Sequence, residues 1–353
     1  MNQPAMTAGI SLSADAATQF AARLFEAAGL SRDASMEMGR ALVEAEMAGL
    51  PSHGLSQAEM YIRRLLLGSV SPAQDAIVVE DRDAIAVLDA ERMFGHLVGR
   101  QAMDMAIDRS KRFGHGMVAV RNSFHFGTAG RYAQQASDRN CIGMAMCNTK
   151  PMMPAPGGLE RLVGNNPVSI GMPSGGGPDF LLDMALSEAA LGKIRVAEKE
   201  GRTIPPTWAV DKDGRPTTDP KAAIEGMLLP AGGAKGFALA FAVDLMCSLL
   251  SMGPGGDEVP PLYGDLSKPF VCSLLFLAID IEHFRPAEDF RSAAAAGLAR
   301  IRNSRSGEGR LRTPGERSHT LRKAGGGKIQ IPRNLLESLD RLAGELGVDE
   351  LIH

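Results

Sequence analysis

The sequence predicts an α/β protein in which a helical N-terminal region precedes alternating strands and helices. Three observations lead there. Apolar runs at 117–120 and 142–147 are strand-sized, and stretches with helical apolar spacing at 94–113 and 128–137 adjoin them. Ahead of these, two segments of helical spacing run 13–28 and 31–48, each opened by Ser or Asp and stopped by Gly. Finally, no G-x-G-x-x-G follows a strand, so the dinucleotide fold built on that turn is not supported.

Taken in order, Ser13 or Asp15 caps the first helix and Gly29 ends it. Ser31-Arg32-Asp33 opens the second, which stops before Gly49 and Pro51. Ser52-His53-Gly54 follows, and then a helix at 57–67. Strands are expected at 84–88, 117–120 and 142–147. A Gly-, Pro- and Asn-rich loop, 152–166, leads to strands 167–172 and 180–185 and a helix at 187–200. The segment 204–219 reads as loop, with a turn at Asp213-Gly214. A long apolar helix spans 232–252, a strand 270–279, and helices 287–301 and 333–346. Segments 253–261 and 303–328 are linker-like. The expected organisation is an α/β core, 81–264, with residues 1–80 packing against 265–353.

Composition narrows the function. A net charge of −3 over 353 residues supplies no positive field for nucleic acid or an anionic membrane. The basic stretch 300–328 has no interleaved aromatics and reads as a solvated loop. Cys141, Cys147, Cys247 and Cys272 form no C-x-x-C pair and read as reduced thiols of a cytoplasmic protein. Residues 1–10 lack a signal-peptide pattern, and Asp244 and Ser248 interrupt the apolar run 236–252, which reads as a core helix. Zinc patterns, a P-loop and G-x-S-x-G are all absent, so no metal is expected.

Polar residues beside glycines remain. His53 lies where the helix pair ends, and His125 lies in Asn122-Ser123-Phe124-His125-Phe126-Gly127, at a strand-to-helix turn of the kind that places ligands at sheet ends. Asp183 ends an apolar strand, where a carboxylate is costly to bury unpaired. Neutral histidine beside a carboxylate suits proton transfer near neutrality, although single histidines are more often structural. Lys235, at the start of the long apolar helix, suits a phosphate, and equally a plain loop lysine. A hydrolase built on Ser52, His53 and Asp183 is disfavoured because adjacent Ser and His side chains are expected to point apart. Pattern alone therefore stops at an α/β enzyme of unassigned reaction.

The same residues carry a more specific resemblance. Ser52-His53-Gly54, His125-Phe126-Gly127, Pro156-Gly157-Gly158, Gly164-Asn165-Asn166-Pro167, Asp183-Met184-Ala185, Gly192-Lys193, Trp208-Ala209-Val210-Asp211, Pro216 to Pro220, Gly233 to Gly236 and Pro314-Gly315-Glu316 run in order along the chain. Their order and spacing resemble the malate/L-lactate dehydrogenase family of the second, non-Rossmann type, which includes sulfolactate and ureidoglycolate dehydrogenases, a diketogulonate reductase and cyclic imino acid reductases. The resemblance implies a mixed-sheet, non-Rossmann NAD(P)-binding fold of the L-sulfolactate dehydrogenase type and a homodimer. It implies NAD or NADP as cofactor and hydride transfer to or from a small 2-hydroxy or 2-oxo acid. His53 would be the acid/base, with Ser52 and Asp183 orienting it and His125 facing the substrate. Thr149, Asp183, Met184, Ala185, Lys235, Pro314, Gly315 and Glu316 would meet the cofactor.

Two departures bear on the substrate. Gln57 occupies the place where many members carry an arginine able to clamp a carboxylate, and Gln cannot make that bidentate pair. Lys150 stands where relatives often have Ser or Asp, and it, Arg63 or Arg64 is a candidate replacement cation. Alternatives are a reductase of a cyclic imino acid, such as piperideine- or pyrroline-2-carboxylate, and a non-catalytic metabolite-binding homologue.

Overall fold

A computed structural model describes residues 9–307 and 309–351. The chain opens with β1 (Ile10–Ser13), α1 (Ala14–Ala27), α2 (Arg32–Met47) and α3 (Ala58–Leu66). Of the two candidate caps Ser13 is the one used: its Oγ accepts the Ala16 N–H, as Ser31 accepts that of Ala34. The middle of the chain is β2 (Ile77–Arg82), β3 (Ile85–Asp89), α4 (Gly95–Phe113), β4 (His115–Ser123), α5 (Ala129–Ser137) and β5 (Cys141–Cys147). There follow β6 (Val168–Met172), β7 (Phe180–Met184), α6 (Leu191–Lys199), β8 (Ala209–Val210), α7 (Pro220–Glu225), β9 (Met227–Leu228) and α8 (Ala234–Ser251). The chain closes with β10 (Cys272–Asp280), α9 (Ala287–Arg302), α10 (Glu316–Gly325), β11 (Lys328–Ile331) and α11 (Arg333–Leu346).

Seven strands make one mixed sheet in the order β2-β3-β4-β10-β5-β6-β7. Only β3 and β4 pair in parallel, joined by α4; every other pair is antiparallel. Both faces of the central strands are covered. Val118, Val120, Leu274 and Phe276 point into one core with α4 and the N-terminal helices, while Ala119, Met146 and Leu275 point into a second with α8 and α6. Burial on both faces explains why these strands appear as unbroken apolar runs without alternation. The N-terminal and C-terminal parts meet, since β1 pairs with β11 from Ile10↔Ile331 to Ser13↔Lys328.

Several local expectations change. The segment 303–328 is not a linker: it contains α10, and the buried Glu316 gathers Arg302, Arg310 and Thr313 around it. The basic run is thus partly neutralised by a carboxylate that charge counting does not pair with it. The expected helix start at 187 slips to Leu191, because Ser187 bridges Pro230 and Glu188 donates its N–H to Leu229. Tertiary pairing overrides propensity there. The loop 204–219 holds the short strand β8, and the mostly exposed edge strand β2, whose apolar Ile77-Val78-Val79 gives way to Glu80-Asp81-Arg82, is not among the expected strands. The long apolar helix is only half in the core. Gly236, Ala240, Val243 and Cys247 of α8 are buried against the sheet, whereas Leu239, Phe241, Leu245, Met246, Leu249 and Leu250 are exposed. By length and composition α8 could cross a membrane, yet it lies across β10, β4 and β5 and its buried Asp244 accepts from Asn148.

Candidate active site

The tightest concentration of polar groups lies where α2 turns into α3. Pro51, whose ring fixes its backbone, opens a single helical turn, Pro51–His53. That turn is clasped from both sides. The Glu46 carboxylate of α2 accepts the Leu55 N–H at 2.9 Å, and Gln57 donates its amide to the Ser52 carbonyl at 2.8 Å. Gly54 permits the close approach, because a Cβ there would lie 2.2 Å from Glu46 Oε1. Burial pushes the Glu46 carboxyl up to about 7, against the opposing Leu55 hydrogen bond. Ser52 Oγ lies 3.0 Å from His53 Nδ1. The expectation that these adjacent side chains diverge is therefore wrong: the two meet at this turn.

His125 arrives from the loop between β4 and α5. Its ring lies 5.9 Å from that of His53, nearly parallel at 23°. The fully buried Tyr61 of α3 holds its hydroxyl 2.6 Å from His125 Nδ1. Burial keeps this phenol protonated far above its ordinary range. Burial, with His53 adding to it, lowers His125 to about 3, so His125 is neutral at any working pH. Burial lowers His53 as well. Yet His53 keeps some solvent access and Ser52 is exposed, so a ligand can reach them. A third histidine, His96, is buried beside them with its Nδ1 lacking a partner among the described residues.

Tyr61, Glu46 and His96 escaped the sequence reading. Tyr61 carried a usable signal: it is one of three tyrosines and lies four residues after Gln57, on the same helical face. Glu46 and His96 had none, because each acts across a fold contact.

Asp183 sits on β7, the edge strand of the sheet, and faces Gly130 at the start of α5. Burial raises its carboxyl to about 6, with the Gly130 N–H opposing. Solvent reaches it nonetheless, and among the described residues it makes no hydrogen bond to His53. A Ser–His–Asp hydrolase relay is therefore not assembled. Met184 and Ala185 follow on the same edge. At the other end of β7 the Leu181 N–H meets the Pro314 carbonyl at 3.3 Å, which fixes the Pro314-Gly315-Glu316 turn there. Beside that turn lies a recess of about 310 Å³ lined by Leu181, Gly315, Ser318, His319 and Arg322.

Thr149 is tied into a knot of amides: Asn166 Oδ1 accepts its N–H at 2.8 Å, and its hydroxyl donates to Asn165 at 3.0 Å. From there Leu186 bonds Asn165, and Ala231 bonds Leu186, leading to the start of α8. Gly232 and Gly233 both take left-handed backbone with open space around them, and Lys235 is exposed with no ion pair among the described residues. The Gly232 and Gly233 N–H groups are themselves taken, by the Glu188 carboxylate and the Pro230 carbonyl, so what this end offers a phosphate is the first turn of α8 and the unpaired Lys235.

The cations considered for the substrate separate clearly. Arg63 is taken by Glu345 and Glu59. Arg64 is buried and donates to the carbonyls of Leu262, Leu266 and Lys268, so it holds that loop rather than a ligand. Gln57 is buried and engaged at both ends, with its Oε1 accepting from Tyr263 at 3.3 Å. Lys150 is exposed with no ion pair among the described residues.

Comparison with known proteins supplies what geometry alone does not. The sequence model of the malate/L-lactate dehydrogenase family matches residues 12–340. L-sulfolactate dehydrogenase of Methanocaldococcus jannaschii is 39% identical over 314 residues, covering 87% of this chain and 89% of that protein. The (2R)-3-sulfolactate dehydrogenase (NADP(+)) of Chromohalobacter salexigens is 33% identical, covering 92% of this chain and 95% of that one. Among solved structures, malate dehydrogenase from Entamoeba histolytica superposes with a TM-score of 0.91 at 28% identity, covering 96% and 99% of the two chains.

Proposed function

Because the chain belongs to the malate/L-lactate dehydrogenase family, we propose that it moves a hydride between NAD or NADP and C2 of a small 2-hydroxy or 2-oxo acid of the malate or lactate kind. The observation that carries this reading is His53, within reach of solvent, its Nδ1 against Ser52 and its charge disfavoured by burial. Bound nicotinamide supplies or accepts the hydride. The chain's residues handle the proton. His53 Nε2 takes the hydroxyl proton of a 2-hydroxy acid, or as imidazolium returns it to the oxygen of a 2-oxo acid. Ser52 holds the ring by Nδ1. Neutral His125, fixed by Tyr61, offers its remaining ring nitrogen to the same oxygen without competing for the proton.

The residues that would hold the cofactor are Thr149, the edge Asp183-Met184-Ala185, Lys235 and the Pro314-Gly315-Glu316 turn. The open glycine turn before α8 and the recess beside Gly315 support that assignment. In the same reading residues 81–264 carry the binding core, although its sheet is completed by β10 from the C-terminal part, and 1–80 packs with the rest of 265–353, which the β1–β11 pairing supports. The protein works in the cytoplasm, in keeping with four free, buried cysteines. It is a homodimer, for which the exposed apolar side chains of α8 offer a surface. Light scattering of the purified chain should return twice its mass.

The deciding experiment follows nicotinamide absorbance with NADH or NADPH and a panel of 2-oxo acids and cyclic imino acids. Turnover of 2-oxo acids supports the proposal. Turnover of cyclic imino acids alone moves the substrate to C=N compounds, and cofactor binding with no turnover across the panel leaves a binding protein. Because burial lowers His53 below its ordinary value near 6.5, reduction should fall and oxidation should rise as pH climbs through an inflection below 6.5. A pH-independent profile for both directions would remove His53 from the proton path.

A further inference from the structure

An acid substrate at His53 needs a cation, and the candidates on and around α3 do not offer one. Gln57 is neutral and fully bonded, and Arg63 and Arg64 are committed elsewhere. A different element reaches the turn. A Cβ on Gly192, in the first turn of α6, would lie 4.0 Å from the Ser52 Cβ. Arg195 follows three residues later, on the same face of that helix. Its guanidinium stacks over the Tyr263 ring, 5.2 Å from the centroid. The Tyr263 hydroxyl in turn meets Gln57, whose amide holds the Ser52 carbonyl.

We propose that Arg195 is the specificity-determining cation of this site and receives the substrate's carboxylate. The proposal rests on the 2-hydroxy or 2-oxo acid reading above. Arg195 is exposed and makes no ion pair among the described residues, so its charge is available. Stacking on an aromatic face restrains a guanidinium while leaving its edge N–H groups free for a bidentate carboxylate. The ring that restrains it is itself fixed. The loop bearing Tyr263 is held by the buried Arg64, through the Leu262 and Lys268 carbonyls at 2.7 Å each. His53 thus supplies the proton and α6 supplies the charge. Lys150, the other unpaired cation considered, has no contact that ties it to the His53 turn.

The test compares wild type with Arg195→Ala and Arg195→Lys, using a 2-oxo acid and the neutral amide of the same skeleton, and titrating oxamate as a non-reacting carboxylate probe. Arg195→Ala should raise KM for the acid about tenfold to a hundredfold, leave KM for the amide in place and weaken oxamate to the same extent. Lysine should restore part of the loss, because it keeps the charge and loses the fork. If wild type turns over the acid and Arg195→Ala leaves its KM unchanged, this proposal falls while the dehydrogenase reading stands. A loss of kcat with a displaced pH profile and no acid–amide difference also overturns it, since Arg195 would then act through Tyr263 on His53. If wild type turns over neither compound, the dehydrogenase reading falls and oxamate decides: selective loss in Arg195→Ala keeps a carboxylate site there, and equal or absent binding rejects it.

Discussion

The His53 turn and the start of α8 are built in opposite ways. At the turn, side chains from several elements answer one another: Glu46 from α2, Gln57 just ahead of α3, Tyr61 from α3, His125 from the loop after β4, and Tyr263 from the loop before β10. At the start of α8, two left-handed glycines stand in open space and Lys235 has no ion-pair partner among the described residues. Proton transfer rewards the first arrangement, because a base works only when its tautomer and position are fixed before the substrate arrives. Phosphate capture rewards the second: the Gly232 and Gly233 N–H groups are paired with Glu188 and Pro230, but the Lys235 ammonium has no internal partner to release first. One end is finished by the fold and the other is left for a ligand to finish.

Substitutions should break the two ends differently. The largest effect is expected at His53. His53→Ala should cut turnover by roughly 10² or more through loss of general acid–base catalysis, with cofactor affinity unchanged. Near-normal turnover in that variant would falsify the assignment. Next comes Tyr61→Phe, which keeps the ring and removes the hydroxyl that meets His125 Nδ1. An orphaned nitrogen in a buried setting costs about 1–3 kcal/mol, so kcat should drop about tenfold and the thermal midpoint should fall. Intact kcat with a lower midpoint would mean that Tyr61 only supports the fold.

Lys235→Ala should do the reverse. The side chain is exposed, so stability should not move, while the cofactor's Kd by fluorescence titration should rise about fivefold, on the order of 1 kcal/mol. A changed midpoint with unchanged cofactor binding would reverse the contrast between the two ends.

How much of this contrast was legible in the sequence follows from its physics. Helix starts, glycine stops and apolar runs are local, so α1, α2, α4 and the central strands emerge almost residue by residue. Edges and pairings that depend on distant chain do not: the apolar runs of β2 and β11 are only two or three residues, broken by charge or amide, and α10 hides in a basic run whose counter-charge, Glu316, is buried with it. At the site, His53 and His125 stood out because glycines flank them at element ends. Whether Ser52 would meet His53 depended on the backbone of a one-turn helix, which spacing does not reveal. Gln57 drew notice as a departure from relatives, but only the fold shows that both ends of its amide are occupied.

The smallest effect tests how finished the His53 end is. Glu46 is partly buried beside Gly54, and its carboxyl is raised to about 7 from an ordinary 4.5. A carboxyl whose folded-state pKa is raised binds its proton more tightly in the folded chain. Its contribution to stability is full below pH 4.5, declines as pH climbs toward 7, and is gone above. Asp183 titrates around pH 6, but it is exposed and is present in wild type and a Glu46 variant alike, so it cancels from their difference. The interval from pH 6 to 8 therefore isolates Glu46. Over that interval Glu46→Gln, which can still accept the Leu55 N–H, should lose less unfolding free energy than wild type, by about 1 kcal/mol after allowance for partial solvent access. Parallel curves for the two proteins in urea titrations would mean that Glu46 is ionised and solvated in the folded state. The clasp on Leu55 would then be an ordinary surface contact, and the His53 turn would depend on Gln57 alone.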